Sequence, residues 1–309
     1  MTQRVQPDAF PSWYDGQSIH ETAFCRAFLA SHQLLYTENC FFTPEGRMTD
    51  EAPLKAEIYR QIEPYASTGV PKKIANIIEL LKITAHIDDF PPQPDRIHVA
   101  NGTLFLDGTF CAAKEEIVRS RFPVAYQPCA PRPETWLHFL SNLLYEDDIP
   151  TLQEYIGYCL IPSYKGQRMM IIKGSGGEGK SQIGMVLSRL FGCNAKDGSV
   201  GKVSENRFAR ADLEHIHLLI DDDMRMEALR QTNYPLKETE ARDLLEIVES
   251  RYKRNSTIFC SQFDIPGWPE KLSDPLLADA ICDRIVHDAY TMVIGGKESM
   301  RKRKGLQDT

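Results

Sequence analysis

The sequence predicts an α/β fold: a parallel sheet with helices on both faces, preceded by a mainly helical region that carries a small β-sheet. Three observations in the 309-residue chain lead there. The second half alternates short apolar runs with segments of helical period, the pattern of successive strand–helix units. One apolar run leads directly into a glycine-rich loop and then a helix, RMMIIKGSGGEGKSQIGMVLSRLFG. Another, HLLIDDDM, ends in three adjacent aspartates.

The elements follow in chain order. Residues 20–36, HETAFCRAFLASHQLLY, space their apolar positions with helical period. ENCFFTPEGRMTD reads as a short strand and turn, and 51–65 and 71–87 as helices, the second opening at Pro71, a favoured early helical position. The prolines of DDFPPQPD stop that helix. RIHVANGTLFLDGTF carries the NG and DG signals of hairpins. QPCAPRP, residues 127–133, is a second proline-rich break and sets the expected division: an accessory region over 1–130 and a nucleotide-binding domain over 131–309. ETWLHFLSNLLY and DIPTLQEYIGYCLIP then read as helices, RMMIIK as a buried strand, and KSQIGMVLSRLFG as a helix ended by Gly192. EHIHLLIDDD, STIFCSQ and YTMVI read as further strands, with ETEARDLLEIVESRY and DPLLADAICDRIVHDA as the helices between them.

Composition narrows the function classes. The net charge is -7, so a DNA contact must come from a local patch and not from the field of the whole chain. No apolar run is long enough for a membrane span, and the N-terminus lacks a signal-peptide core; a cytoplasmic protein is expected. The 8 cysteines form no CxxC pair, and buried free thiols are expected, with Cys159, Cys260 and Cys282 inside apolar runs.

Residues Gly174, Ser175, Gly176, Gly177, Glu178, Gly179, Lys180 and Ser181 match GxxxxGK[ST], in the required setting of a strand before and a helix after. Such a loop folds into a ring of N–H donors around phosphate oxygens, assisted by the positive end of the following helix. ATP and Mg²⁺ are therefore the expected ligands, with Lys180 on the β- and γ-phosphates and the Ser181 hydroxyl on the metal. The rival, a glycine-rich turn with a chance GKS, explains neither flank. In the acidic cluster Asp221 is assigned to the Mg²⁺ sphere and Asp222 to the lytic water, with Asp223 as the fallback if the register slips by one. The alternative, a solvated acidic loop, leaves three like charges at a strand end to repel one another without a cation.

Beyond the third strand, Ser261 and Gln262 offer polar groups that reach the γ-phosphate or a water; a turn-capping serine and an exposed glutamine are the alternative. Arg284 is a candidate arginine finger for a neighbouring subunit; a salt bridge to Asp279, Asp283 or Asp288 is its alternative. The tail KESMRKRKG places Arg301, Lys302, Arg303 and Lys304 as a phosphate-backbone contact, against the alternative of a solvated terminus.

Two resemblances follow one another. Residues 95–234, through IHVANGTLFLDGTF, the segment LQEYIGYCLIPSYKGQRMMIIKGSGGEGKSQIGMVLSRLFG and FARADLEHIHLLIDDDM, resemble the helicase part of phage and plasmid primase-helicases of superfamily 3. The helices before residue 95 fit the accessory region of such proteins. Residues 235–304, through PLKETEARDLLEIVESRYKRNSTIFCSQ and LSDPLLADAICDRIVHDAYTMVIGGKESMRKRK, resemble the C-terminal part of IstB-like AAA+ ATPases of insertion elements. The sequence thus reads as a join near Tyr234–Pro235. The further basic motif and asparagine sensor of a superfamily 3 helicase do not follow the acidic strand. By resemblance, Gln262 takes the sensor place, Arg284 the finger place, and Arg301 a second-sensor or DNA place. The resemblance implies a P-loop ATPase of mobile-element origin acting on DNA as a homo-oligomeric ring or filament, with helicase-type hydrolysis. Two alternatives stand beside it: an ATP switch that recruits a transposase or a replication protein, and a non-catalytic remnant that only binds nucleotide or a partner.

Overall fold

The computed structural model describes residues 10–66, 68–91, 93–114, 116–161, 169–174, 179–197, 216–221, 238–252, 255–261, 274–286 and 289–294. The chain divides into two compact units, one of Met1–Pro92 with Ala113–Arg121, the other of Gln93–Ala112 with Phe122–Thr309. The proline-rich stretch 127–133 lies inside the second unit.

The first unit is built from three helices, α1 (Glu21–Ser31), α2 (Ala52–Ile62) and α3 (Val70–Thr84), and a small antiparallel sheet of β1 (Leu35–Thr37), β2 (Cys40–Thr43) and β3 (Gly46–Arg47). Pro71 lies in the first turn of α3, where its missing N–H is not needed. The helical period of 20–36 covers only α1; its end, Leu35 and Tyr36, pairs instead with Phe42 and Phe41. Phe24, Phe28, Ile58, Ile62, Ile77 and Leu81 fill one core between these helices. The bidentate pair of Arg119 with Glu38, at 2.9 and 2.6 Å, fastens segment 113–121 to the β1–β2 turn.

The second unit starts with an antiparallel sheet, β4 (Arg96–Val99), β5 (Gly102–Phe105) and β6 (Phe110–Cys111), where the hairpin signals placed it. Helices α4 (Glu134–Ser141) and α5 (Asp148–Cys159) follow. Then come β7 (Met169–Lys173), α6 (Lys180–Phe191), β8 (Ala195–Asp197), β9 (Leu218–Asp221), α7 (Glu238–Arg251), β10 (Ser256–Ser261), α8 (Pro275–Val286) and β11 (Ala289–Val293). Their five strands form one sheet in the order β11-β7-β10-β9-β8, and every pair is parallel.

A parallel sheet is covered on both faces, so its strands are apolar on both sides. The period of two sorts the side chains. Met170, Ile172, Leu218, Ile220, Ile258 and Cys260 face a core shared with α4, α5 and α6. Met169, Ile171, Leu219 and Phe259 face the other core, shared with α7 and α8. Gly184 lets α6 come close to β9: a Cβ there would lie 3.4 Å from Ile220 Cγ2.

The fold class expected from the sequence is the one observed. Cys25, Cys40, Cys159 and Cys260 are buried and Cys282 is half-buried, but Cys111, Cys129 and Cys193 are exposed. The expectation of buried thiols fails at those three because they sit on the edge strand β6, in the proline-rich break and in the turn after α6. Among the described residues no helix is long and apolar enough to cross a membrane.

Candidate functional site

The C-terminal ends of the parallel strands converge on the glycine loop. Strand β7 delivers Gly174, and its two neighbours hold it there. The Gly174 N–H donates to the Ser261 carbonyl at 3.0 Å, and the Ile294 N–H donates to the Lys173 carbonyl at 2.7 Å. The start of the loop is thus tied to the ends of both β10 and β11. Around β7 the chain leaves on opposite faces, with α6 on one and α8 on the other. That crevice at a reversal of strand order is where open α/β sheets bind ligands.

Gly179 closes the loop with φ +118°, a left-handed conformation that disfavours side chains. A Cβ at Gly179 would also lie 3.4 Å from the Phe139 ring of α4. Helix α6 starts at Lys180, which is 8% exposed, so its ammonium must find acceptors inside the protein. Nζ donates to the Gly174 carbonyl at 2.8 Å, spanning the loop from its last residues to its first. Ser181, next in the same first turn, is exposed.

Asp221 ends β9 and is 1% exposed. Its register partner on β10 is Phe259, while Ser261, two residues on, pairs with Lys173 of β7. Strand β10 therefore stands between the loop strand and the acid strand, and Asp221 lies two residues short of the level of Lys173 and Ser261. The structure brings Gly174, Gly179, Lys180, Ser181 and Asp221 to one edge of one sheet. A hydroxyl and a carboxylate are hard oxygen donors, which suit Mg²⁺.

Ser175, Gly176, Gly177, Glu178, Asp222, Asp223, Gln262, Arg301, Lys302, Arg303 and Lys304 lie outside the described residues. Arg284 is in the last turn of α8, on the face away from α6. Its Nη2 pairs with Glu249 of α7 at 2.8 Å, and its Nη1 donates to the Ala280 carbonyl at 3.0 Å. Among the described residues Arg284 forms an ion pair with Glu249, because α7 packs along α8 and brings a carboxylate across that no local spacing reveals, while Asp288 lies outside the described residues.

A second polar cluster lies at the opposite, N-terminal edge of the same sheet. Arg251, the last residue of α7, is 1% exposed. Its guanidinium donates to Thr257 Oγ1 at 3.0 Å, to the Ile216 carbonyl at 3.2 Å and to the Ser256 carbonyl at 2.6 Å. Tyr155 of α5 donates to the Thr257 carbonyl at 3.0 Å. Burial pushes the Cys159 thiol up to about 12 and raises the Tyr155 phenol. Burial, and then the Arg251 charge, hold the His217 imidazole down to about 4. Burial brings Arg251 itself down to about 10, which leaves it charged at neutral pH. The sequence shows Arg251 only as a basic residue ending a helix, a place normally solvated.

The comparisons with known proteins divide the chain in the same order as the resemblances. Residues 13–144 match the family described as D5 N terminal like. Residues 170–308 match the family described as IstB-like ATP binding protein. The chain thus matches two family models, one after the other. The IstB-like region begins ahead of the glycine loop, so the loop, the acid strand and both later strands fall within it. The two matches leave residues 145–169 between them, whereas the motif resemblances change over near Tyr234–Pro235.

Among curated proteins, two insertion sequence ATP-binding proteins of Sinorhizobium fredii are similar to this chain. One is 43% identical over 102 residues, 32% of this chain and 38% of that protein. The other is 45% identical over 87 residues, 28% of this chain and 32% of that protein. The chain thus spans about a third of the length of these relatives. Among solved structures, the DnaC helicase loader is similar at 11% identity and a TM-score of 0.35, over 48% of this chain and 91% of that one.

Proposed function

We propose that the IstB-like region binds ATP with Mg²⁺ and hydrolyses it, and that the chain acts on DNA as an ATP switch of mobile-element origin that recruits a transposase or a replication protein. The observation that carries this reading is the Lys180 ammonium donating to the Gly174 carbonyl at the edge where Asp221 also ends. An ammonium that donates to a carbonyl dipole of its own loop can take phosphate oxygens, which carry full charge, as stronger acceptors. Bound Mg²⁺ neutralises phosphate charge. Ser181 and Asp221 would hold it. Asp222 takes the proton of the attacking water, and Gln262 orients that water.

Arg284 stands on the sheet face opposite to α6, so in its own subunit it points away from the loop helix. It acts on a neighbouring subunit's nucleotide, and the working form is a homo-oligomeric ring or filament. Arg301, Lys302, Arg303 and Lys304 supply the DNA-backbone contact. The accessory division at 1–130 and 131–309 is kept as the proposed functional boundary.

The switch is preferred to a helicase because the IstB-like match runs from the loop strand to the last strand of the sheet. Helicase-type unwinding is the second reading, favoured by the D5-like match over residues 13–144. Phosphate release is measured against protein concentration, with and without single-stranded DNA, and strand displacement is followed on forked DNA. The expected result is turnover that rises steeply with concentration, is changed by DNA and comes without displacement. Displacement would favour the helicase, and absence of turnover at every concentration would leave only a nucleotide-binding remnant.

A further inference from the structure

The pair between Arg284 and Glu249 joins a half-buried side chain to an exposed one, 31% and 48% accessible, on helices that cover the face away from the loop helix. The guanidinium has a second anchor, the Ala280 carbonyl of its own helix. The arginine is therefore held along α8 toward α7. Serving a neighbour's phosphate requires that it turn away from both partners.

We propose that Glu249 is a latch on Arg284: in the lone subunit its carboxylate occupies the guanidinium, and on assembly the triphosphate of a second copy displaces it. The inference rests on the reading that Arg284 completes a neighbouring subunit's site. Magnitudes allow the exchange. An ion pair as exposed as this one changes an equilibrium by only about two- to five-fold. A triphosphate presents several negative charges to the same guanidinium in a less hydrated setting, where a charge-assisted bidentate contact is stronger. Glu249 thus sets the protein concentration at which sites are completed without stopping completion. The latch also keeps a bare cation off the surface of the unassembled chain, whose outer α8 face is otherwise acidic at the exposed Asp279 and Asp283.

The test measures phosphate release against concentration of the full chain, with Mg²⁺ and ATP, for the wild type, E249Q and R284A. Melting of each chain is recorded at a concentration below assembly. E249Q keeps the shape and removes the charge. The expected result is a half-maximal concentration lowered about two- to five-fold, with the turnover at saturation and the melting temperature of the lone chain unchanged. R284A is expected to remove the concentration-dependent rise. An E249Q curve that superimposes on the wild type, or moves to higher concentration, would overturn the latch while R284A still loses activity. If E249Q loses activity as R284A does, Glu249 positions the arginine and does not restrain it. An R284A chain as active as the wild type would overturn the underlying finger reading instead.

Discussion

The two edges of the five-stranded sheet both bury a cation, and they treat it in opposite ways. At the C-terminal edge Lys180 gives a hydrogen bond to a carbonyl of a glycine loop, beside an exposed serine and a buried carboxylate. At the N-terminal edge Arg251 gives its hydrogen bonds to two carbonyls and a hydroxyl fixed by strands and helix ends. The first cation faces partners that a ligand can replace. The second has the geometry of a staple: its fork joins the end of α7 to the starts of β9 and β10. The difference teaches that burial of charge alone does not mark a working site. What marks one is whether the partners of the charge can be exchanged without unfolding the sheet.

The comparison breaks if the two cations respond alike. Lys180→Ala should give the largest effect, a fall in ATP turnover on the order of 10²–10³-fold or more, as expected when a group that stabilises developing phosphate charge is lost. The stability of the folded chain should change little. Steady-state phosphate release and a urea titration of the same variant check both halves, and activity that persists would remove Lys180 from the site.

Arg251→Met should do the reverse. It leaves the Ile216 and Ser256 carbonyls buried without this donor, at about 1–3 kcal/mol each. The urea midpoint should drop, while nucleotide affinity of the fraction still folded stays near the wild-type value. A normal midpoint would show that the guanidinium is no staple.

The smallest effect concerns His217 and sharpens the N-terminal edge. Its folded pKa is depressed to about 4 from 6.5, so the unfolded chain binds the proton first as pH falls. Stability from this residue is present in full above pH 6.5 and is lost progressively between there and pH 4, by about 1 kcal/mol at pH 5.5. The difference in urea midpoint between the wild type and His217→Phe, followed from pH 7 to pH 4, should change in that window. A difference that stays flat would mean that the imidazole is not held neutral.

Much of this fold is legible in the sequence because its signals are local. The glycine loop, the apolar strand before it and the aspartates at the end of β9 each declare themselves within a few residues. Strand β8 does not, being only three residues, Ala195–Asp197, paired at the sheet's edge. The order β11-β7-β10-β9-β8 is not legible either, since nothing along the chain tells β10 to enter between β7 and β9. Leu35 and Tyr36 continue the helical period of α1, and only their pairing with Phe42 and Phe41 makes them a strand. At the site, Lys180 and Asp221 can be named from motif alone. The partner of Arg284 cannot, because Glu249 lies 35 residues away and meets it only through the packing of α7 on α8. Arg251 was hidden for the same reason: a basic residue ending an amphipathic helix carries no mark of burial.

The insertion of β10 between β7 and β9 also acts as a ruler. Neighbouring strands sit about 4.8 Å apart, so the axes of β7 and β9 are separated by about 10 Å at the level where the sheet ends. That width leaves room for a phosphate chain and a hydrated ion side by side. A sheet with β7 directly beside β9 would halve that width.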